Sequence, residues 1–421
     1  MNDPVQTGPG PADDDIVSRP GRLSTVLITV TGPDHPGVTG ALFTTLADHG
    51  VDVLDIDQAV IRGHLTLGVL VATPPDARAL QRAVERAMAT VGMAVSVAID
   101  LPGAGERRKP THVVVVLGRP LQARAIGALA GAFGRIGVNI EAIKRIADYP
   151  VTGLELTVRA PDDQALRAAV VAVGADVGVD IAVERTGIAR RAKRLIVFDV
   201  DSTLITGEVI EMLADHSGTR AEVERITTQA MAGQLDFAAS LRARVAMLEG
   251  LDESVLDSVA ADLVLTPGAR TTIRTLKRLG YRCGIVSGGF TQITRHLVAD
   301  LDLDYQAANT LEVIDGKLTG RVTGAVVDRA GKAVALADFA DRFGVPMSQT
   351  VAVGDGANDI DMLAAAGLGI AFNAKPVVAE HADTTLNQPF LDPVLFILGI
   401  TRDEIEAADA ADGVLRRVAL D

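Results

Sequence analysis

The sequence predicts an α/β protein in three parts: two small βαββαβ domains, then a parallel-sheet core carrying a helical cap. Three observations predict it. A stretch in the first half occurs twice. After Arg194, short apolar runs alternate with helical segments, the pattern of helices layered on a sheet. Three of those runs stop abruptly at polar residues: "LIVF" before Asp199, "CGIV" before Ser287 and "TVAV" before Gly354-Asp355.

The totals are compatible with this division. A chain of 421 residues has room for two or three domains, each with its own core. Hydrophobic residues make up 48% and charged residues 22%, a globular composition. The formal net charge of −14 argues against nucleic acid as the main partner, because phosphate binding needs a basic face. No apolar run approaches the ~20 residues of a membrane helix. The single cysteine, Cys283, sits in "YRCGIV", allows no intrachain disulfide and reads as a buried strand thiol. A reducing cytoplasm is the expected compartment. Residues 1–22 are rich in Pro, Gly and Asp and lack a signal peptide's basic start and apolar centre; they read as a flexible tail.

The duplication aligns "GALFTTLADHGVDV" (from Gly40) with "GALAGAFGRIGVNI" (from Gly127), 87 residues on, and carries Pro74 onto Pro161. A period this long is a duplicated domain, not a solenoid repeat. Each copy opens on a β-branched run ("STVLITVTG", "THVVVVLG"). A helical segment follows, then two strands, a second helix introduced by Pro-Asp, and a last strand. That order is the ferredoxin-like βαββαβ arrangement, over residues 23–101 and 110–185. The segment "LPGAGERRKP" links the copies. The glycines of "GALAGAFGRIG" lack G-x-G-x-x-G spacing and read as close helix packing.

The turns "TGPDHPG" and "LGRP" resemble those of ACT domains, small modules that bind amino acids where domains pair. The resemblance implies effector roles for Gly37 and Gly118, an amino-acid ligand (L-serine in the first instance) and a homodimer through the ACT copies. A tight turn that tolerates no Cβ explains either glycine about equally well.

In the second half, continuous apolar runs suit parallel strands buried on both faces, and ligands of such sheets bind beyond the carboxyl ends of the strands. One strand-end aspartate can be a helix cap. Three polar strand ends delivered to one crevice are a site. Two charges ~4 Å apart at the end of "RLIVFDVDST" repel by about 4 kcal/mol at an effective dielectric near 20, so something must offset that cost.

"DVDST", "VSGG", Lys332 and "GDGANDIDM", in that order, resemble the four motifs of haloacid-dehalogenase-superfamily phosphatases, over 194–421. "FAASLRARVAML" and "VSGGF" extend the resemblance to the phosphoserine phosphatase family. It implies a Rossmann-like core that hydrolyses O-phospho-L-serine, the last step of serine biosynthesis, through an aspartyl phosphate. Asp199 is the implied nucleophile and Asp201 the general acid and base. Mg²⁺ is the implied cofactor, held by Asp199, the backbone carbonyl of Asp201, and Asp355, with Asp359 behind them. Ser287, Gly288, Lys332 and Asn358 would face the phosphate. Standing alone, Ser287 and Asn358 read as turn residues and Lys332 as a solvated helix lysine.

Residues 207–265 read as helices throughout, a cap that excludes water and gates the crevice. Phosphoserine carries an ammonium and a carboxylate beyond its phosphate. The resemblance nominates Glu208 for the first and Arg244 for the second; spacing alone does not separate Arg244 from Arg242, and Glu208 could serve a helix dipole instead. Met231 and Phe237 are candidates for the apolar wall, and core packing explains both nearly as well. "NTLEVIDGKLTGRV" reads as a hairpin through Asp315-Gly316 with no chemistry of its own. Two other functions stay open: a phosphatase acting on another phosphorylated amino acid or a phosphoprotein, and an amino-acid sensor with a vestigial catalytic half.

Overall fold

The computed structural model describes residues 24–99, 109–231, 236–414 and 417. The tail over 1–22, most of the linker between the copies and the side chain of Met231 lie outside the described residues. The chain divides into two units, residues 1–108 and 109–421.

The first unit contains β1 (Thr25–Pro33), α1 (Val38–Asp48), β2 (Val53–Ile61), β3 (His64–Ala72), α2 (Ala77–Thr90) and β4 (Ala94–Ile99), the expected βαββαβ order. Its antiparallel sheet runs β2-β3-β1-β4. Alternation in β1 sends Val26, Ile28 and Val30 into the core against Leu42, Leu46, Leu80 and Val84 of the two helices. The Pro-Asp signal works as a cap: Asp76 accepts a 2.8 Å hydrogen bond from Ala79 N–H at the start of α2.

The second unit opens with the second copy: β5 (His112–Gly118), α3 (Ala123–Arg135), β6 (Asn139–Ala147), β7 (Thr152–Arg159), α4 (Asp163–Val177) and β8 (Asp180–Arg185). Its sheet runs β6-β7-β5-β8, the same arrangement. Every residue of β5 is buried, unlike β1. Val114 and Val116 pack on Leu129, Phe133 and Leu166 beneath the domain's own helices. Val113, Val115 and Leu117, on the other face, join the core of the second half. The run "VVVV" is continuous because both faces are covered. Polar contacts pin this junction. Buried Asp180 accepts hydrogen bonds from Asn387 N–H (3.0 Å) and Nδ2 (2.8 Å), and Arg190 reaches Glu155 (2.8 Å) and the Ile397 carbonyl (3.3 Å).

After the short α5 (Ile188–Arg191), the core strands are β9 (Leu195–Phe198), β10 (Arg282–Phe290), β11 (Tyr305–Ile314), β12 (Lys317–Thr323), β13 (Thr350–Gly354), β14 (Gly369–Phe372) and β15 (Thr384–Leu386). The sheet order is β12-β11-β10-β9-β13-β14-β15. Six strands are parallel, but β12 pairs antiparallel with β11, so the sheet is mixed where a parallel one was expected. The Asp315-Gly316 hairpin is the reason: both residues take positive φ (49° and 74°) and fold the chain straight back onto the sheet edge.

Helices α6 (Val209–Ser217), α7 (Arg220–Met231), α8 (Phe237–Ala246) and α9 (Ser254–Ala261) form the cap between β9 and α10 (Ala269–Arg278). A bridge between Ile205 and Leu265 joins its two connecting strands. The remaining helices, α11 (Thr291–Leu301), α12 (Arg329–Arg342), α13 (Ile360–Ala365), α14 (Pro376–Ala379), α15 (Pro393–Ile397) and α16 (Arg402–Ala411), complete the layers around the sheet. No helix among the described residues is long and apolar enough to cross a membrane.

Candidate active site

Strand order builds the site. β9 lies between β10 and β13, so the three polar strand ends read from the sequence are neighbours. "LIVF" is wholly buried, and the chain leaves it at Asp199, itself only 4% exposed. It then turns through Ser202, whose φ of 56° lies in the left-handed region. This brings Asp201 back beside Ser287, whose Oγ stands 3.5 Å from Asp201 Oδ2.

Lys332 is not the solvated helix lysine that its surroundings in the sequence allowed. It has no exposed surface, and its Nζ lies 2.7 Å from both Asp199 Oδ1 and Asp359 Oδ1. Burial alone would lower its pKa; the two carboxylates outweigh that and raise it, so it is a permanent cation. Asp359 is held from its other oxygen by Gly356 N–H at 2.9 Å. Gly354 makes that approach possible, since a Cβ there would stand 2.5 Å from Asp359 Cγ.

The carboxylates are pushed the other way. Burial first, then Asp359, raises the pKa of Asp199 against the pull of Lys332. Burial also raises Asp201, opposed by a 2.7 Å hydrogen bond from Val209 N–H, the first amide of α6. Asp355 is pushed up to about 6 by burial, opposed by a 2.8 Å hydrogen bond from Thr203 Oγ. Lys332, with Arg244 reaching only as far as Asp201, does not offset this many buried acids, whose pKa values stay raised. Oxygens of Asp199, Asp355 and Asp359 lie within 4.8 Å of one another. An all-oxygen donor set of mutually repelling, buried carboxylates fits a hard divalent cation.

The cap contributes Glu208 and Arg244. Glu208 precedes α6, accepts a 3.0 Å hydrogen bond from Ser202 Oγ, and is pushed up to about 7 by burial and then by Asp201. Arg244 on α8 is half-buried and feels Glu208 and Asp201, while Arg242 is exposed. Helix α8 thus turns Arg244, and not Arg242, towards Glu208 and Asp201, a difference that spacing did not show. Phe237 and Asn358 lie close to Gly288: a Cβ there would stand 3.0 Å from Phe237 Cζ and 3.8 Å from Asn358 Nδ2.

Reasoning from the sequence missed Thr203 and Ser202, which orient Asp355 and Glu208. The signal was present in "DVDST", where two hydroxyls follow two carboxylates. The glycines of the ACT copies differ from one another. Gly37 takes φ 102° at the start of α1 with nothing within 4 Å of where a Cβ would stand. At Gly118 a Cβ would meet Leu121 and Val179 at 3.2 Å.

Comparison with known proteins agrees with this geometry. Residues 196–364 match the haloacid dehalogenase-like hydrolase family, and residues 24–98 and 110–184 each match an ACT domain. The class is therefore a haloacid dehalogenase-like hydrolase preceded by two ACT domains. The chain is 58% identical to phosphoserine phosphatase SerB2 of Mycobacterium tuberculosis, covering 95% of this chain and 99% of that one. It is 54% identical to phosphoserine phosphatase of Streptomyces coelicolor, covering 93% and 96%. The crystal structure of a probable phosphoserine phosphatase from Vibrio cholerae superposes with a TM-score of 0.55 at 34% identity, covering 73% of this chain and 90% of that one. The chain belongs to the phosphoserine phosphatase family.

Proposed function

We propose that the protein hydrolyses O-phospho-L-serine to L-serine and phosphate, with Mg²⁺ as the bound cation and an aspartyl phosphate on Asp199 as the intermediate. The observation that carries this reading is the meeting of two sets of charges. Asp199, Asp201, Ser287 and Lys332 gather at the strand ends, and Glu208 and Arg244 reach the same charges from the cap. The relatives named phosphoserine phosphatase support the substrate.

Asp199 attacks phosphorus from a rigid strand end, and the bond from phosphorus to the serine oxygen breaks. Asp201, whose raised pKa favours the protonated form, gives its proton to the leaving alkoxide. It then takes a proton from the water that attacks the aspartyl phosphate, which frees phosphate and restores Asp199. Lys332 and Ser287 offset charge on the phosphoryl oxygens without reorganising. Asp199, Asp355 and the backbone carbonyl of Asp201 are the residues that would hold Mg²⁺, with Asp359 and Lys332 behind them. When bound, the cation offsets the negative charge gathered between carboxylates and phosphate. Glu208 takes the substrate's ammonium and Arg244 its carboxylate, and Phe237 supplies apolar wall.

Replacing Asp199 with Asn should abolish phosphate release while leaving the circular dichroism spectrum unchanged; retained turnover would remove the covalent route. Replacing Arg244 with Ala should raise KM for phosphoserine at least tenfold but spare phosphoethanolamine, which lacks the carboxylate. Equal losses on both would remove the assignment. In the same reading the reaction ends serine synthesis in the cytoplasm, and the ACT copies pair two chains and bind an amino acid, L-serine first, near Gly37 and Gly118.

A further inference from the structure

β10 and β11 run in parallel register from Gly284–Tyr305 to Val286–Ala307, lose it, and regain it only at Phe290–Asn309. The interruption is Ser287-Gly288-Gly289, the turn that presents Ser287 to the site. Chain that bulges out of a ladder gives up its ladder hydrogen bonds, and a buried carbonyl left without a donor is costly. Asn309 supplies the donor at this break. Its side chain is 1% exposed, and Nδ2 donates to the Gly288 carbonyl at 2.8 Å.

The other end of the same amide is also engaged. Asn309 Oδ1 accepts from Val327 N–H at 2.8 Å. Val327 immediately precedes Asp328, which caps α12 by accepting from Gly331 N–H at 2.8 Å and whose carbonyl accepts from Lys332 N–H at 2.9 Å. One planar amide of fixed size thus spans the turn carrying Ser287 and the residue just before the N-cap of the helix carrying Lys332. The two bonds need opposite ends of the amide, so each fixes its orientation for the other.

We infer that Asn309 is a positioning residue that sets the distance between the Ser287–Gly289 turn and Lys332, the two groups facing the phosphoryl oxygens. It touches no substrate and acts only through those groups. The inference rests on the proposed reading of the site as one that binds a phosphate. Geometry this close to a reacting centre matters, because a misplacement of about 1 Å can cost ~10²-fold in rate.

Two variants test it. Asn309→Ala removes the tether and leaves room for water to satisfy the two backbone groups, so the fold can persist. The expected result is a kcat lower by about 10- to 100-fold, with KM for phosphoserine rising by less than the phosphate constant does, because Glu208 and Arg244 are untouched. Binding of inorganic phosphate, followed by calorimetry, should weaken about tenfold. A folded Ala variant with kcat and phosphate affinity both within twofold of wild type overturns the inference.

Should that variant not fold, Asn309→Asp decides. Its protonated carboxyl can donate to Gly288 and accept from Val327 as the amide does, whereas its ionised form cannot donate. The ratio of its kcat to that of wild type should then climb at least fivefold from pH 8 to pH 6; a flat ratio overturns the inference. Wild-type phosphoserine turnover is measured alongside. If it is absent, the substrate reading fails, and the phosphate calorimetry still judges Asn309 by itself.

Discussion

Replacing Lys332 with Met removes a charge while keeping nearly the same length of apolar stem. Its Nζ stands 2.7 Å from a carboxylate oxygen on each side and is fully buried. At an effective dielectric near 20, each contact represents about 6 kcal/mol of gross attraction. Desolvation consumes much of that, and breaking a buried pair from one side costs about 3–5 kcal/mol net. The folded variant can recover part of the loss by protonating the orphaned acids. Burial already raises the pKa of Asp199, and removing Lys332 removes the main opposing influence.

The sign follows from that direction. An acid whose folded pKa lies above its unfolded value takes up protons on folding, so stability rises as pH falls. Lys332 itself, with a raised pKa, contributes fully below the ordinary lysine range and so does not change across neutral pH. The gap between variant and wild type should therefore be widest near pH 8, about 3–5 kcal/mol, and should narrow towards pH 5. Urea titrations followed by far-UV circular dichroism measure it; the chain has no tryptophan to report by fluorescence. A gap below about 1 kcal/mol at pH 8, or one that does not narrow, would refute Lys332 as the buried counter-ion of this site.

Glu208, pushed up to about 7, must be ionised to receive an ammonium, so kcat/KM for phosphoserine should fall about tenfold per pH unit below that value. Glu208→Gln should lower kcat/KM and lose this limb, keeping only the one from the substrate phosphate near pH 6. Gly354→Ala should force Asp359 away from Lys332 and Gly356, costing about 1–3 kcal/mol in urea titrations and at least about tenfold in phosphate release. Arg402 is buried, paired with Asp392 at 3.1 Å and stacked 4.8 Å above the Tyr149 ring of the second ACT copy. Arg402→Met should cost about 3–5 kcal/mol, read from the urea midpoint, by leaving Asp392 unpaired.

Much of this site was legible because its signals are local. An apolar run that stops at Asp199, Ser287 or Asp355 says both that a strand is buried and where its chemistry begins. The Pro-Asp pairs and Asp315-Gly316 likewise announce caps and a hairpin within a few residues. What was not legible depends on partners far along the chain. Nothing near Lys332 says that a lysine in a first helical turn is wholly buried, because its carboxylates come from Asp199 and Asp359. Asn309 reads as a strand residue until Gly288 and Val327 arrive from either side. Glu208 and Arg244 came from family resemblance, since no local pattern tells a cap arginine that faces a crevice from one that faces water. The hairpin was foreseen, but not that its second strand would extend the main sheet and make it mixed.

The two-sided burial of β5 also decides where the molecule can be cut. Val113, Val115 and Leu117 share a core with the phosphatase strands, so the second ACT copy and the catalytic half are one cooperative block, although the sequence motifs divide them. A fragment beginning at Arg194 would bare that apolar surface and aggregate, whereas one beginning at Lys109 keeps it covered. Calorimetry on the whole chain should accordingly resolve two melting transitions rather than three, the smaller from residues 24–99 and the larger from everything after the linker.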